Sequence, residues 1–220
     1  ITPSVRAELE AIVGAGQAFS DPDKSCDYGH DEFSMREIAC EPELVVRPAT
    51  TAEVAAVLKV AAAHAVPVTP RGGATGLCGG CVPLCGGIVL SLERMDRVLE
   101  VDADNQMAEA GVRLSDFTEA VEAAGLYFPP HPGDESAMLG GLVATNAGGS
   151  RAVKYGTIRN YVRGLTFVTA AGDVLRLGGK LEKSSTGYNL MHLVIGSEGT
   201  LGVVTEVVLH LKAKPGITRS

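Results

Sequence analysis

A chain of 220 residues, 45% hydrophobic and 20% charged, is long enough for one large domain or two small ones with a sizeable core. Its net charge of −7 argues against nucleic acid as the main partner. No run approaches the ~18 uninterrupted apolar residues of a membrane span, since the most apolar stretch, Val54 to Val68, is broken by Lys59, His64 and Pro67. Five cysteines, an odd number, fit reduced cytosolic thiols better than a disulfide framework.

The first twenty residues place Val5, Leu9, Ile12 and Val13 at helical spacing, which predicts a short N-terminal helix. Residues 21–43 are polar and irregular and are expected on the surface, with no role assigned to Tyr28, Asp31 or Arg36. Leu44 to Pro48 reads as a strand closed by proline. Thr50 and Glu53 then form a capping box ahead of Val54, Val57, Leu58 and Ala61, a helix that should stop near Ala65 because of Pro67. Val66–Thr69 is a second strand, and Ile88–Leu92 a third, giving a β-α-β-loop-β unit.

Strands are expected again at Val98–Val101 and Met107–Ala110. A helix capped by Ser115 should carry Phe117, Ala120, Val121 and Ala124 and end at Gly125. A rigid turn, Pro129 to Asp134, precedes the small-residue segment Leu139 to Gly149, which reads as a helix ending at Gly148-Gly149. Leu165–Thr169 and Asp173–Leu177 form a hairpin across a glycine turn. Gly196 to Gly202 is a third glycine loop, Val203–Leu209 a strand, and Lys212 to Ser220 a basic tail.

The loop between the second and third strands, Pro70-Arg71-Gly72-Gly73-Ala74-Thr75-Gly76-Leu77-Cys78-Gly79-Gly80, carries the chemistry. Five glycines let the backbone turn sharply and approach a ligand closely. Successive N–H groups in such a turn make an anion-binding concavity, to which Thr75 adds a hydroxyl and Arg71 a charge. Neither the dinucleotide fingerprint G-x-G-x-x-G nor the P-loop G-x-x-x-x-G-K-[ST] is present. The loop joins strand to strand, so any anion must be held by backbone amides without a long helix behind them.

Three glycine-rich segments stand in order: PRGGATGLCGG, GGLVATNAGG and GSEGTLGVVTE. With the linking KYGTIRNYVRGLTFVTAAGDVL and STGYNL, residues 40–212 resemble the FAD-binding domain of the vanillyl-alcohol oxidase-like (PCMH-type) flavoproteins. The branch they resemble holds glycolate oxidase flavin subunits, D-lactate dehydrogenases and D-2-hydroxyglutarate dehydrogenases. The resemblance implies an α+β fold of two α/β subdomains with FAD in the crevice between them. The expected division is an N-terminal helix and surface segment over 1–43, one subdomain over 44–100 and another over 101–220.

It also implies the cofactor contacts. Pro70, Arg71, Gly72, Gly73, Ala74, Thr75, Gly76 and Leu77 would wrap the pyrophosphate. Pro132, Gly133, Ser136, Gly140, Gly141, Thr145, Asn146 and Gly149 would line the flavin and its ribityl chain. Gly202, Val203 and Val204 would meet the adenine through their backbone, with Glu198 nearby. Family members that attach flavin covalently place a histidine in the first loop. Ala74-Thr75 stands there, so FAD is expected to bind non-covalently.

The implied reaction is hydride transfer from a 2-hydroxy acid to FAD. Reoxidation would be by quinone, cytochrome or an iron–sulfur partner subunit, in a cytoplasmic protein at most peripheral to the inner membrane; a homodimer is compatible. Members often carry Asp-Pro where this chain has His131-Pro132, and His131 is read as a loop residue. Cys78, Cys81 and Cys85 spell C-x-x-C-x-x-x-C, but three thiols inside a phosphate loop are read as idle or buried, with no metal. Tyr188, after Lys183, either reaches the flavin face or packs. The family's substrate half, with its metal-binding histidines, is missing, so the chain is expected to be a fragment and supplies no catalytic residue. Rival readings are a UDP-N-acetylenolpyruvoylglucosamine reductase type of flavoenzyme and a non-catalytic nucleotide-binding subunit.

Overall fold

Thr2 opens the first helix, α1 (Pro3–Val13), with its hydroxyl accepting from Val5 N, and proline occupies the first helical position. A computed structural model describes residues 1–33, 38–105, 107–110 and 112–214; Arg36 and the tail beyond Lys214 lie outside the described residues. Val5, Leu9 and Val13 bury one face of α1, which packs on a later helix.

The chain forms two units. The first comprises Ile1–Met95, Phe167–Leu175 and Gly199–Thr205; the second comprises Asp96–Thr166, Arg176–Glu198 and Glu206–Ser220. They interleave in sequence, whereas the expected division was contiguous. Residues 1–43 are part of the first unit because α1 packs within it and β1 (Ala18–Phe19) pairs antiparallel with β2 (Leu44–Val46). After β1 comes one turn of helix, α2 (Pro22–Ser25).

Following β2, α3 (Thr51–Ala63) is capped by Thr50, whose hydroxyl accepts from Glu53 N at 3.1 Å. The Glu53 carboxylate reaches back one residue further than a capping box requires and accepts from Ala49 N at 2.8 Å. Val54, Val57, Leu58 and Ala61 are buried. The helix ends two residues before the predicted stop, with Ala65 in the left-handed region. The chain then enters β3 (Val68–Arg71), crosses the glycine loop and returns as β4 (Ile88–Ser91). The sheet order is β1-β2-β4-β3, with β4 parallel to both neighbours. The β-α-β-loop-β reading therefore holds.

The next sheet has the order β5-β6-β10-β8-β9. Its strands are β5 (Val98–Asp102), β6 (Met107–Ala110), then β8 (Val162–Thr169), β9 (Val174–Gly178) and β10 (Gly202–His210). Between β6 and β8 lie α4 (Leu114–Ala123), β7 (Leu126–Tyr127), α5 (Leu139–Thr145) and α6 (Ala152–Tyr155). Arg113, not Ser115, holds the N-cap position of α4, and the Ser115 hydroxyl donates to Asp116. Leu114 joins Phe117 and Val121 on its buried face, which pulls the helix start two residues earlier. Helix α7 (Leu190–Val194) follows β9, and β11 (Lys212–Ala213) pairs antiparallel with β7. Among the described residues no helix is long and apolar enough to cross a membrane.

His210, at the end of β10, is held by burial below the ordinary histidine range, with Arg163 and Lys212 adding to the depression and Glu182 opposing it. A histidine depressed on folding stabilises the fold at higher pH and loses that contribution as pH falls from about 6.5, where the unfolded chain takes up the proton first. A urea titration at pH 5.5 and 7.5 should therefore show a larger acid-side stability loss for the native chain than for His210→Gln. Equal losses would remove His210 as the cause.

Candidate functional site

In the first unit, β3 aims the chain into the glycine loop, and residues 27–32 hold it. The Arg71 guanidinium donates to the carbonyls of His30 and Asp27, both at 2.5 Å, and lies over the Tyr28 ring, 5.3 Å from its centroid. Arg71 thus spends its charge on the N-terminal segment. Asp31, expected on the surface, is only 3% exposed, and its Oδ2 accepts from Gly79 N at 2.5 Å. Glu32 N donates to Ala74 O at 2.9 Å.

Ala74 itself is in the left-handed region (φ 57°), an uncommon conformation for a residue with a Cβ. No described residue accepts from the N–H groups of Gly72 through Leu77, and a Cβ placed on Gly76 would meet nothing within 4 Å. A Cβ on Gly199 would sit 3.4 Å from Pro70 Cγ, so the end of the third glycine loop adjoins the start of the first. From there the chain enters β10. Val203 and Val204 bury their side chains, so any ligand contact there falls to backbone; β10 is flanked by β8 on one edge, and on the other its register with β6 covers Val207 to His210. All five cysteines are free thiols. Burial pushes Cys81 up, against the pull of Arg71 and with a further push from Asp31. Among the described residues no three His, Cys, Asp or Glu side chains gather to hold a metal ion.

In the second unit, α5 carries the second glycine segment and stops at Asn146 in the left-handed region (φ 51°), before Gly148-Gly149, where the sequence reading had ended it. Asn146 Oδ1 accepts from Thr157 Oγ1 at 2.9 Å and Arg159 N at 3.3 Å, bonds that fix the turn. The Arg159 guanidinium crosses to the end of α7, just ahead of the third loop, and donates to Ile195 O at 2.5 Å and His192 O at 2.9 Å. Gly196 N and Glu198 N donate to the carbonyls of Val143 and Ala144. The second and third segments are thereby laced together, with Asn146, Gly196 and Glu198 at the seam.

The remaining predicted positions divide by what they do here. Gly149 (φ 92°) bridges to His131, and a Cβ there would stand 1.9 Å from the His131 carbonyl oxygen, so the backbone pairing itself demands glycine. Thr145 donates back to Gly141 O, and Ser136 N and Oγ both donate to Asp134 Oδ1 at 2.7 Å. Gly133 and Gly141 are open, with nothing within 4 Å of an added Cβ. Pro132 is buried beside that turn and Gly140 lies half-buried on α5. Tyr188 is 95% exposed, which removes its packing alternative.

Sequence reading missed Asp31 and Arg159. Each finds its partner far along the chain, through tertiary approach rather than spacing. The only signal for Arg159 was its place between two glycine segments in KYGTIRN.

The first unit's loop fits an anion. Its N–H groups from Gly72 through Leu77, from which no described residue accepts, can donate to phosphate oxygens, and Gly76 is open; in the second unit Gly133 and Gly141 are open. A family described as FAD binding domain matches residues 42–178. The chain is 54% identical over 175 residues to a D-lactate dehydrogenase of Archaeoglobus fulgidus, covering 79% of this chain and 39% of that protein. It is 41% identical over 219 residues to the glycolate oxidase subunit GlcD of Bacillus subtilis, covering 98% and 46%. Among solved structures, an alkyldihydroxyacetonephosphate synthase superposes with a TM-score of 0.87 at 26% identity, over 99% of this chain and 42% of that one. The chain thus spans less than half the length of these relatives. The family match covers well over half of the sequence and includes the first two glycine segments, so the chain belongs to the family of FAD-binding domains, with the α+β fold of flavoenzymes and FAD as its cofactor.

Proposed function

We propose that this chain holds FAD for a dehydrogenase that oxidises a small 2-hydroxy acid, of the glycolate or D-lactate type, to the 2-oxo acid. The observation that carries the reading is the 54% identity to a D-lactate dehydrogenase over 175 residues, 79% of this chain. FAD, when bound, supplies the hydride-accepting chemistry; the protein binds and orients it. The amides of Gly72 to Leu77 hold the pyrophosphate, and the backbone of Gly202 to Val204 meets the adenine. Gly140, Gly141 and the Pro132-Gly133 turn line the flavin, beside Asn146. Ala74-Thr75 offers no side chain for covalent attachment, so binding is non-covalent. Electrons leave the reduced enzyme to a partner such as an iron–sulfur subunit, in an assembly compatible with a homodimer.

The test has two stages. The purified chain, mixed with FAD and desalted, should keep oxidised-flavin absorption that denaturation and filtration release completely. The protein expressed from its complete reading frame should then bleach under anaerobic addition of D-lactate, glycolate or D-2-hydroxyglutarate. A flavin that none of the three reduces would overturn the substrate class while leaving the cofactor in place.

A further inference from the structure

The first glycine loop is gripped from outside itself. Two consecutive residues reach it at points five positions apart, Glu32 N donating to Ala74 O and Asp31 Oδ2 accepting from Gly79 N. Arg71, at the loop's entry, is tied to the carbonyls of Asp27 and His30 just upstream. We propose that Asp31 is a positioning residue for the cofactor, holding the backbone from Ala74 to Gly79 in the shape that receives the pyrophosphate.

The proposal rests on the FAD reading above and goes further, to a residue outside every glycine segment. A carboxylate buried to 3% exposure is costly unless its lone pairs are used, and an apolar side chain would have filled the space at less cost. Asp31 instead accepts from a loop amide, and the Arg71 guanidinium lies in the same cluster, where both charges act on the Cys81 thiol. A stretch this rich in glycine has many accessible shapes, and a ligand must bear the entropy of choosing one. Anchoring Gly79 and Ala74 removes most of those alternatives before the ligand arrives. It also keeps Ala74 in a left-handed conformation it would otherwise leave. No described residue accepts from the N–H groups from Thr75 to Leu77, between the anchors, which suits them to the anion.

The test compares FAD with riboflavin, which has the same ring system and no phosphate, by fluorescence titration of the native chain, Asp31→Asn and Asp31→Ala. Asparagine keeps an acceptor for Gly79 N, so FAD affinity should stay within about threefold; alanine should lose about tenfold or more. Riboflavin affinity should be unchanged in both. If Asp31→Ala does not fold, Asp31→Glu, which displaces the acceptor by one methylene, should weaken FAD by about threefold with riboflavin again unchanged. Equal losses for both flavins, or no loss of FAD binding in any variant, would overturn the role of Asp31. A native chain that binds no FAD would overturn the cofactor reading instead.

Discussion

Gly149→Ala should lower the melting temperature by about 6–12 °C, the equivalent of roughly 3 kcal/mol for a chain of this size. The added Cβ would stand 1.9 Å from the His131 carbonyl oxygen and 2.8 Å from Pro132 Cα. Both are backbone atoms that cannot rotate aside. The φ of 92° adds strain of its own for any residue bearing a side chain. Relief requires breaking the bridge to His131, and with it the turn through Pro132 and Gly133. Gly141→Ala is the contrasting case. Its Cβ meets nothing within 4 Å, and it lies inside α5, so stability should rise by roughly 0.5–1 kcal/mol from helix propensity alone. FAD affinity should nevertheless fall if the flavin lies against that face. Thermal melts with and without FAD separate the two glycines. A Gly149→Ala melt within about 2 °C of the native chain would show that the backbone yields more easily than the contact implies.

The second large effect is expected at Arg159. Its guanidinium satisfies two carbonyls at the end of α7, just ahead of the third loop, and its backbone N–H donates to Asn146. Hydrogen bonds to a charged group contribute more than neutral ones, but the side chain is only half-buried, so Arg159→Ala should cost about 2 kcal/mol. Lysine cannot span both carbonyls and should recover little of it. Amide exchange should locate the damage, accelerating at Gly196 and Glu198, whose N–H groups bond to Val143 and Ala144, ahead of β10. Uniform acceleration across the chain would make Arg159 a generic stabiliser rather than the tie between the two segments.

Much of the scaffold was legible because it is written in local terms. The Thr50–Glu53 cap, the Pro67 stop, the apolar strand Ile88–Ser91 and the hairpin around Gly172 each depend on neighbours a few residues away, and each formed close to where spacing put it. The family resemblance likewise lay in short glycine segments in a fixed order. What escaped was long-range. Asp31 and Gly79 are 48 residues apart, and Arg71 and Asp27 are 44 apart; no periodicity links either pair. For that reason Arg71 read as a free charge for phosphate, though its guanidinium is engaged with the N-terminal segment. Asn146 ended its helix early because a left-handed asparagine can close a helix as glycine does, and the glycines that follow drew attention away from it.

The first unit draws on residues 167–175 and 199–205 as well as on the first 95. A nascent chain therefore cannot finish that unit when Met95 leaves the ribosome; it must wait until Thr205 has emerged, by which point most of the other unit has been made. Truncation after residue 95 would yield an open remnant prone to aggregation rather than a free-standing piece.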